Sequence, residues 1–251
     1  MTFKADTKCK CEVQAAVNFG ERAHHLKLDI LLLHYTGMET SDAARDWLCR
    51  EESGVSCHYF VYEDGRIVQF VPENKRAWHA GKSCWQDEAD TNSRSIGIEI
   101  ANPGHTGGYP DFPKVQIDTV NELGIDILKR KPDLLPRNVL AHSDVAPGRK
   151  HDPGEKFPWH ILHENGIGHW IDEPENLRGG FLQRGDNGEP VAALQAMLAL
   201  YGYGVDITGD FDQKTYDCIY AFHQHFRQSK VDGIADGSTL AVLNELIRSI
   251  D

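Results

Sequence analysis

The 251-residue chain reads as an α/β fold, a mixed β-sheet flanked by helices, followed by a small all-α unit of three helices. Three observations predict this. Residues 26–37 and 95–102 are apolar runs of strand character. Between 113 and 130, Val115, Ile117, Val120, Leu123, Ile127 and Leu128 recur near a 3.6-residue period. Beyond a stretch rich in Asp, Glu, Pro, Asn and Gly at 171–188, helical patterns follow with no strand between them.

Taken in order, residues 1–25 are polar and irregular and read as an N-terminal extension. The run 26–37 has the continuous apolar character of a buried strand and closes on His34, Tyr35, Thr36 and Gly37. Thr40 and Ser41 can cap a helix to about Arg50, with Ala43, Ala44, Trp47 and Leu48 at helical spacing. Residues 55–61 and 66–71 are strand-like, and Asp64-Gly65 between them is a hairpin turn signal. Residues 95–102 alternate strictly, with Ile96, Ile98 and Ile100 on one face and Gly97, Glu99 and Ala101 on the other. A carboxylate between such small neighbours implies open space above it. The helix 113–130 stops at Lys131-Pro132, and 139–142 is a third short strand ending in His142. A Trp-rich helix and turn at 157–170 complete a unit spanning 26–170. The linker 171–188 leads to a unit at 189–251, with helices at 190–201, 212–226 and 238–250.

Composition limits the function. A net charge of −12 lacks the basic footprint of a nucleic-acid binder. The same charge argues against passive attraction to an anionic membrane or wall polymer. Six Cys without a C-x-x-C pair, in a chain large enough to form a core, read as mostly free thiols. The N-terminus has no apolar signal core, and no run is long enough to cross a bilayer. The chain as written is expected in the cytoplasm, with the periplasm or cell envelope as the alternative if a leader has been removed. A monomer is expected.

The chemistry concentrates in 139–154, VLAHSDVAPGRKHDPG, where His142, Lys150, His151 and Asp152 share one strand end and loop. Two residues cannot complete a zinc shell. His34, at the end of another strand, supplies a third ligand. Two imidazoles and one carboxylate leave a tetrahedral position open, the arrangement of a catalytic metal site. Glu99 stands on a separate strand and can act as base toward a bound water. The Lys150 ammonium can meet an oxyanion as it develops. These parts describe metal-assisted amide hydrolysis. With thirteen His in the chain and no H-E-x-x-H motif, spacing alone does not single out this triple.

A family resemblance does. His34-Tyr35-Thr36, Val55-Ser56-Cys57-His58-Tyr59, Ala77-Trp78-His79-Ala80-Gly81, Ser95-Ile96-Gly97-Ile98-Glu99 and the stretch from Ala141 to Gly154 occur in order. The set resembles the AmpD/AmiD-type N-acetylmuramoyl-L-alanine amidases, a zinc amidase family, over about residues 26–170. The resemblance implies one Zn2+ held by His34, His142 and Asp152, with Glu99 and Lys150 as catalytic residues. It implies cleavage of the amide between N-acetylmuramic acid, or its 1,6-anhydro form, and L-Ala of the stem peptide in peptidoglycan or muropeptides. It places Trp78, His79 and Asn92 in segments that line the substrate groove, leaves His151 outside the ligand set, and makes His58 a structural residue of the sheet. The tail, through Val191-Ala192-Ala193-Leu194-Gln195, Tyr201-Gly202-Tyr203 and Gly209-Asp210-Phe211-Asp212, resembles a three-helix peptidoglycan-binding module. The competing reading is a non-catalytic peptidoglycan-binding or sensing protein of the same fold. The complete set of five site residues favours the enzyme.

Overall fold

Of the apolar run at 26–37, Ile30–Tyr35 form a strand that is buried from Ile30 to His34. The computed structural model describes residues 3–174 and 180–250, so 175–179 of the expected linker lie outside the described residues. The chain forms β1 (Cys11–Val13), β2 (Phe19–Glu21), β3 (Ile30–Tyr35), α1 (Ser41–Cys49), β4 (Tyr59–Val61), β5 (Ile67–Gln69) and β6 (Lys75–Ala77). It continues with α2 (Thr91–Arg94), β7 (Ser95–Ile100), α3 (Lys114–Arg130), β8 (Val139–Ala141), α4 (His142–Val145) and α5 (Trp159–Glu164). The helices α6 (Glu189–Tyr201), α7 (Gln213–Phe226) and α8 (Gly237–Arg248) end it. Six strands pair in the order β1-β5-β4-β7-β3-β8, parallel except for β4 against β5, and β2 pairs with β6 in a separate ribbon.

Local chemistry accounts for most elements. Thr40 Oγ1 accepts from the Ala43 amide at 3.2 Å and caps α1. Asp64-Gly65 turns β4 into β5, and Gly65 takes φ +84°. The N-terminal residues differ from the expectation of an irregular extension. β1 adds to the free edge of β5, and β2 pairs with β6. Three-residue strands show no periodicity; tertiary partners create them.

The two faces of the sheet bury different layers. Leu31 and Leu33 of β3 and Ile96, Ile98 and Ile100 of β7 pack with Ile117, Val120, Leu123 and Ile127 of α3 and Leu162 of α5. On the opposite face, Ile30, Leu32 and Leu140 join one apolar cluster with Trp85, Val145, Leu194, Leu198, Phe222 and Leu243. The three C-terminal helices therefore share a core with the sheet. A buried side chain of this kind contributes about 1.5–3 kcal/mol. Uncovering Ile30, Leu32, Leu140 and Val145 together would cost a sum comparable to the whole stability of a domain, about 5–15 kcal/mol.

All six cysteines are free thiols. Among the described residues, no helix is long and apolar enough to cross a membrane.

Candidate metal centre and active-site groove

Strand register delivers the site. His34 and Glu99 are Cα partners on the adjacent parallel strands β3 and β7, so their side chains stand together on one face of the sheet. Leu33 pairs with Ala141 of β8, and His142 follows at once. His142 is the first residue of α4 rather than the last of a strand, because the Asp144 carboxylate accepts from the Ala141 amide at 2.8 Å and turns the chain there. The loop then returns until the Ser143 amide donates to the Asp152 carbonyl at 3.1 Å.

His34 Nδ1, His142 Nδ1 and Asp152 Oδ2 converge, with separations of 2.9 Å between the imidazoles and 3.1 and 2.9 Å to the carboxylate. These are the only three His, Cys, Asp or Glu side chains among the described residues to cluster this way. All three are buried.

The surrounding hydrogen bonds assign the protons. The Ala80 carbonyl can only accept, so His142 Nε2–H donates to it at 3.0 Å and leaves Nδ1 with a lone pair. A longer chain fixes His34. The Ser95 hydroxyl donates to the Thr91 carbonyl at 2.7 Å, and its lone pair accepts His79 Nε2–H at 3.3 Å. His79 Nδ1 must then accept His34 Nε2–H at 3.0 Å, which leaves the His34 Nδ1 lone pair facing Asp152. Two imidazole lone pairs and a carboxylate oxygen thus meet with no proton between them. Only a cation satisfies such a set, and sides of about 3 Å suit three donors about 2 Å from a common centre. Burial and the neighbouring His142 lower the His34 pKa to about 4, so its imidazole is neutral and able to ligate.

The centre opens onto a groove of about 440 Å3 whose lining includes Trp47, Trp78 and Lys150. Glu99 lies in its floor. Burial and the Asp152 carboxylate raise the Glu99 pKa well above the ordinary value, while Lys150 pulls it back. Glu99 Oε2 is buried without any hydrogen-bond partner. The space predicted above this face is only partly open. An ideal Cβ on Gly97 would lie 2.6 Å from the His79 ring, so the glycine makes room for that imidazole.

Trp78 and His79 both reach the groove. Both ring nitrogens of His79 are already used inside the protein, and the residue is only 8% exposed. Asn92 does not reach the groove. Its Oδ1 accepts from the His79 and Ala80 amides at 3.0 and 2.8 Å and shapes the turn that presents them. His58 is fully buried; its Nδ1 accepts from the Gly97 amide at 2.9 Å. His151 is exposed and turned toward Tyr220.

Two residues escaped the sequence reading. Arg22 donates to the carbonyls of Glu73, Asn92, Ser93 and Ser95 and ties the N-terminal segment beneath the site. Arg149 donates to the carbonyls of Ala80 and Lys82 and clamps the metal loop to the 80–82 turn. A lone Arg in a polar stretch gives no signal of this.

Comparison with known proteins agrees with this geometry. A family model described as N-acetylmuramoyl-L-alanine amidase matches residues 24–155, and one described as "Putative peptidoglycan binding domain" matches 187–243. The chain is 37% identical to N-acetylmuramoyl-L-alanine amidase AmiD of Escherichia coli over 243 residues, covering 90% of this chain and 84% of that one. The solved complex of E. coli AmiD with anhydro-N-acetylmuramic acid-L-Ala-D-gamma-Glu-L-Lys superposes with a TM-score of 0.76 at 32% identity, over 93% of this chain and 98% of that one. AmpDh3 of Pseudomonas aeruginosa gives 0.77 at 33% identity over 100% and 99%. With its sheet, its His-His-Asp cluster and its C-terminal helices all accounted for, the chain belongs to the N-acetylmuramoyl-L-alanine amidase family.

Proposed function

We propose that the chain hydrolyses the amide between N-acetylmuramic acid, or its 1,6-anhydro form, and L-Ala of the stem peptide, with one Zn2+ held by His34, His142 and Asp152. One observation carries this reading: three unprotonated donors converge beside a carboxylate oxygen that has no partner of its own. Bound there, zinc would lower the pKa of water to about 7 and polarise the scissile carbonyl. Glu99 Oε2 takes the proton of the attacking water and returns it to the departing amine nitrogen, a task suited to a carboxylate whose pKa burial has raised. The Lys150 ammonium faces the charge that develops on the carbonyl oxygen. Trp78 forms part of the wall against which the substrate lies. The five site residues are complete within one chain, so the reading needs no residue from a second subunit. We assign catalysis to residues 26–170, and to 189–251 a role in holding peptidoglycan beside it.

Removing the metal is the direct test. Incubation with a strong chelator is expected to abolish release of stem peptide from an anhydro-muropeptide, and added Zn2+ to restore it. Undiminished release from protein shown to be metal-free would overturn the metal mechanism. The hydrogen-bond chain behind His34 gives a second prediction. His79→Ala removes the acceptor that fixes the His34 tautomer and is expected to weaken zinc binding about 10–100-fold. Competition with a chromophoric chelator reads this, and equal affinity in the two proteins would show that His79 does not orient the ligand.

A further inference from the structure

We propose that the groove continues past Lys150 and His151 into an annex walled by α7, and that this annex binds a pyranose ring of the substrate's glycan. The inference rests on the amidase reading above. The annex is a hollow of about 240 Å3 between the metal loop and the C-terminal helices. It shares Lys150 and His151 with the catalytic groove, so a ligand leaving one enters the other. Its volume is below the roughly 300–1,000 Å3 of a site for a whole small ligand. It suits one further unit of a ligand whose reacting part lies at the metal centre.

Its chemistry suits a sugar. Tyr216 and Tyr220 stand one turn apart on α7, with ring centroids 6.1 Å apart and planes inclined by 32°. Such a surface offers apolar faces beside phenolic edges, which matches a pyranose with its C–H face and its hydroxyl rim. Gln224 is 1% exposed and borders the hollow; its Oε1 is buried without a partner. A buried acceptor left unmatched is costly, and a sugar hydroxyl or acetamido N–H would satisfy it.

The charge of the lining is balanced. Asp217 lines the annex, and the Glu155 carboxylate lies 3.4 Å from Gln224 Nε2. Asp217 and the Lys150 ammonium both line the hollow and leave it near electrical neutrality, which suits an uncharged sugar. The wall is also fixed in place. Gly148, at φ +73°, packs against Asp217 so closely that a Cβ would collide with the carboxylate.

The test uses the full chain and two readouts. Titration with a peptide-free N-acetylglucosamine tetrasaccharide, followed by NMR, is expected to shift resonances of Tyr216 and Tyr220, and Tyr220→Ala to weaken binding about tenfold, the equivalent of about 1.4 kcal/mol. In kinetics, Tyr220→Ala is expected to lower kcat/KM for muropeptides with two or more sugars about tenfold more than for the single-sugar anhydro form. Tyr216→Ala, on the same partly exposed face, provides an independent second variant. A loss that follows stem-peptide length would assign the annex to peptide and overturn the proposal. So would equal losses on long and short glycans with unchanged tetrasaccharide binding. If the native protein cuts no muropeptide, the amidase reading fails, and the tetrasaccharide titration still decides the annex by itself.

Discussion

Glu99→Gln is expected to retain zinc at near-native affinity and to lose about 10²–10⁴-fold in turnover. The substitution keeps the size of the side chain and its place opposite His34 on β7. The three convergent donors are untouched, so the metal stays. What disappears is a groove carboxylate whose Oε2 is buried without a partner and can receive a proton. Metal content and stem-peptide release should be measured on the same preparation. If zinc is lost along with activity, Glu99 is a ligand and the assignment of a base is wrong. His142→Ala provides the contrast, with both metal and activity abolished.

Asp144→Ala is expected to destabilise the fold by about 3–5 kcal/mol, the cost of breaking a buried charged network. Asp144 is fully buried and accepts three hydrogen bonds: from the Tyr203 hydroxyl and His225 Nδ1, each at 2.6 Å, and from the Ala141 amide at 2.8 Å. Tyr203 and His225 belong to the C-terminal helical unit, while Asp144 lies two residues after His142. One carboxylate therefore joins the two parts of the chain at the metal loop. Its loss would strand three buried donors, a large fraction of a net stability of about 5–15 kcal/mol. Urea unfolding reads the effect, and an unchanged midpoint would remove Asp144 from this role. Tyr203→Phe strands one polar group instead of three and is expected to cost about 1–3 kcal/mol.

The sequence reading succeeded where a feature repeats locally. The alternation at 95–102 placed Glu99 on the face opposite Ile96, Ile98 and Ile100, because a strand has a period of two and one face must be buried. The run ending at His34 and the loop ending at Asp152 were legible for similar reasons: a buried strand declares itself by composition, and a Gly- and Pro-rich loop by its breakers. Other features depend on partners far apart in the chain. β1 exists because β5 has a free edge, which nothing in Cys11–Val13 announces. His79 carried a signal of the groove from its Trp-His neighbourhood. Its bond to His34 spans 45 residues and required the packing against Gly97 to become visible. The shared core was hidden for a further reason: Ile30 and Leu32 are buried whichever element covers them, so their hydrophobicity does not say that α6–α8 supply the cover.

That shared core changes what a wall-binding unit can do for an enzyme. A module on a slack tether raises local concentration and leaves the point of attack to chance. The three C-terminal helices pack on the same face of the sheet that carries His34 and Glu99, so any segment bound to them sits at a fixed distance from the metal centre. A polymer strand held there would be presented in register, and the choice of which stem peptide is cut would become a matter of fixed geometry.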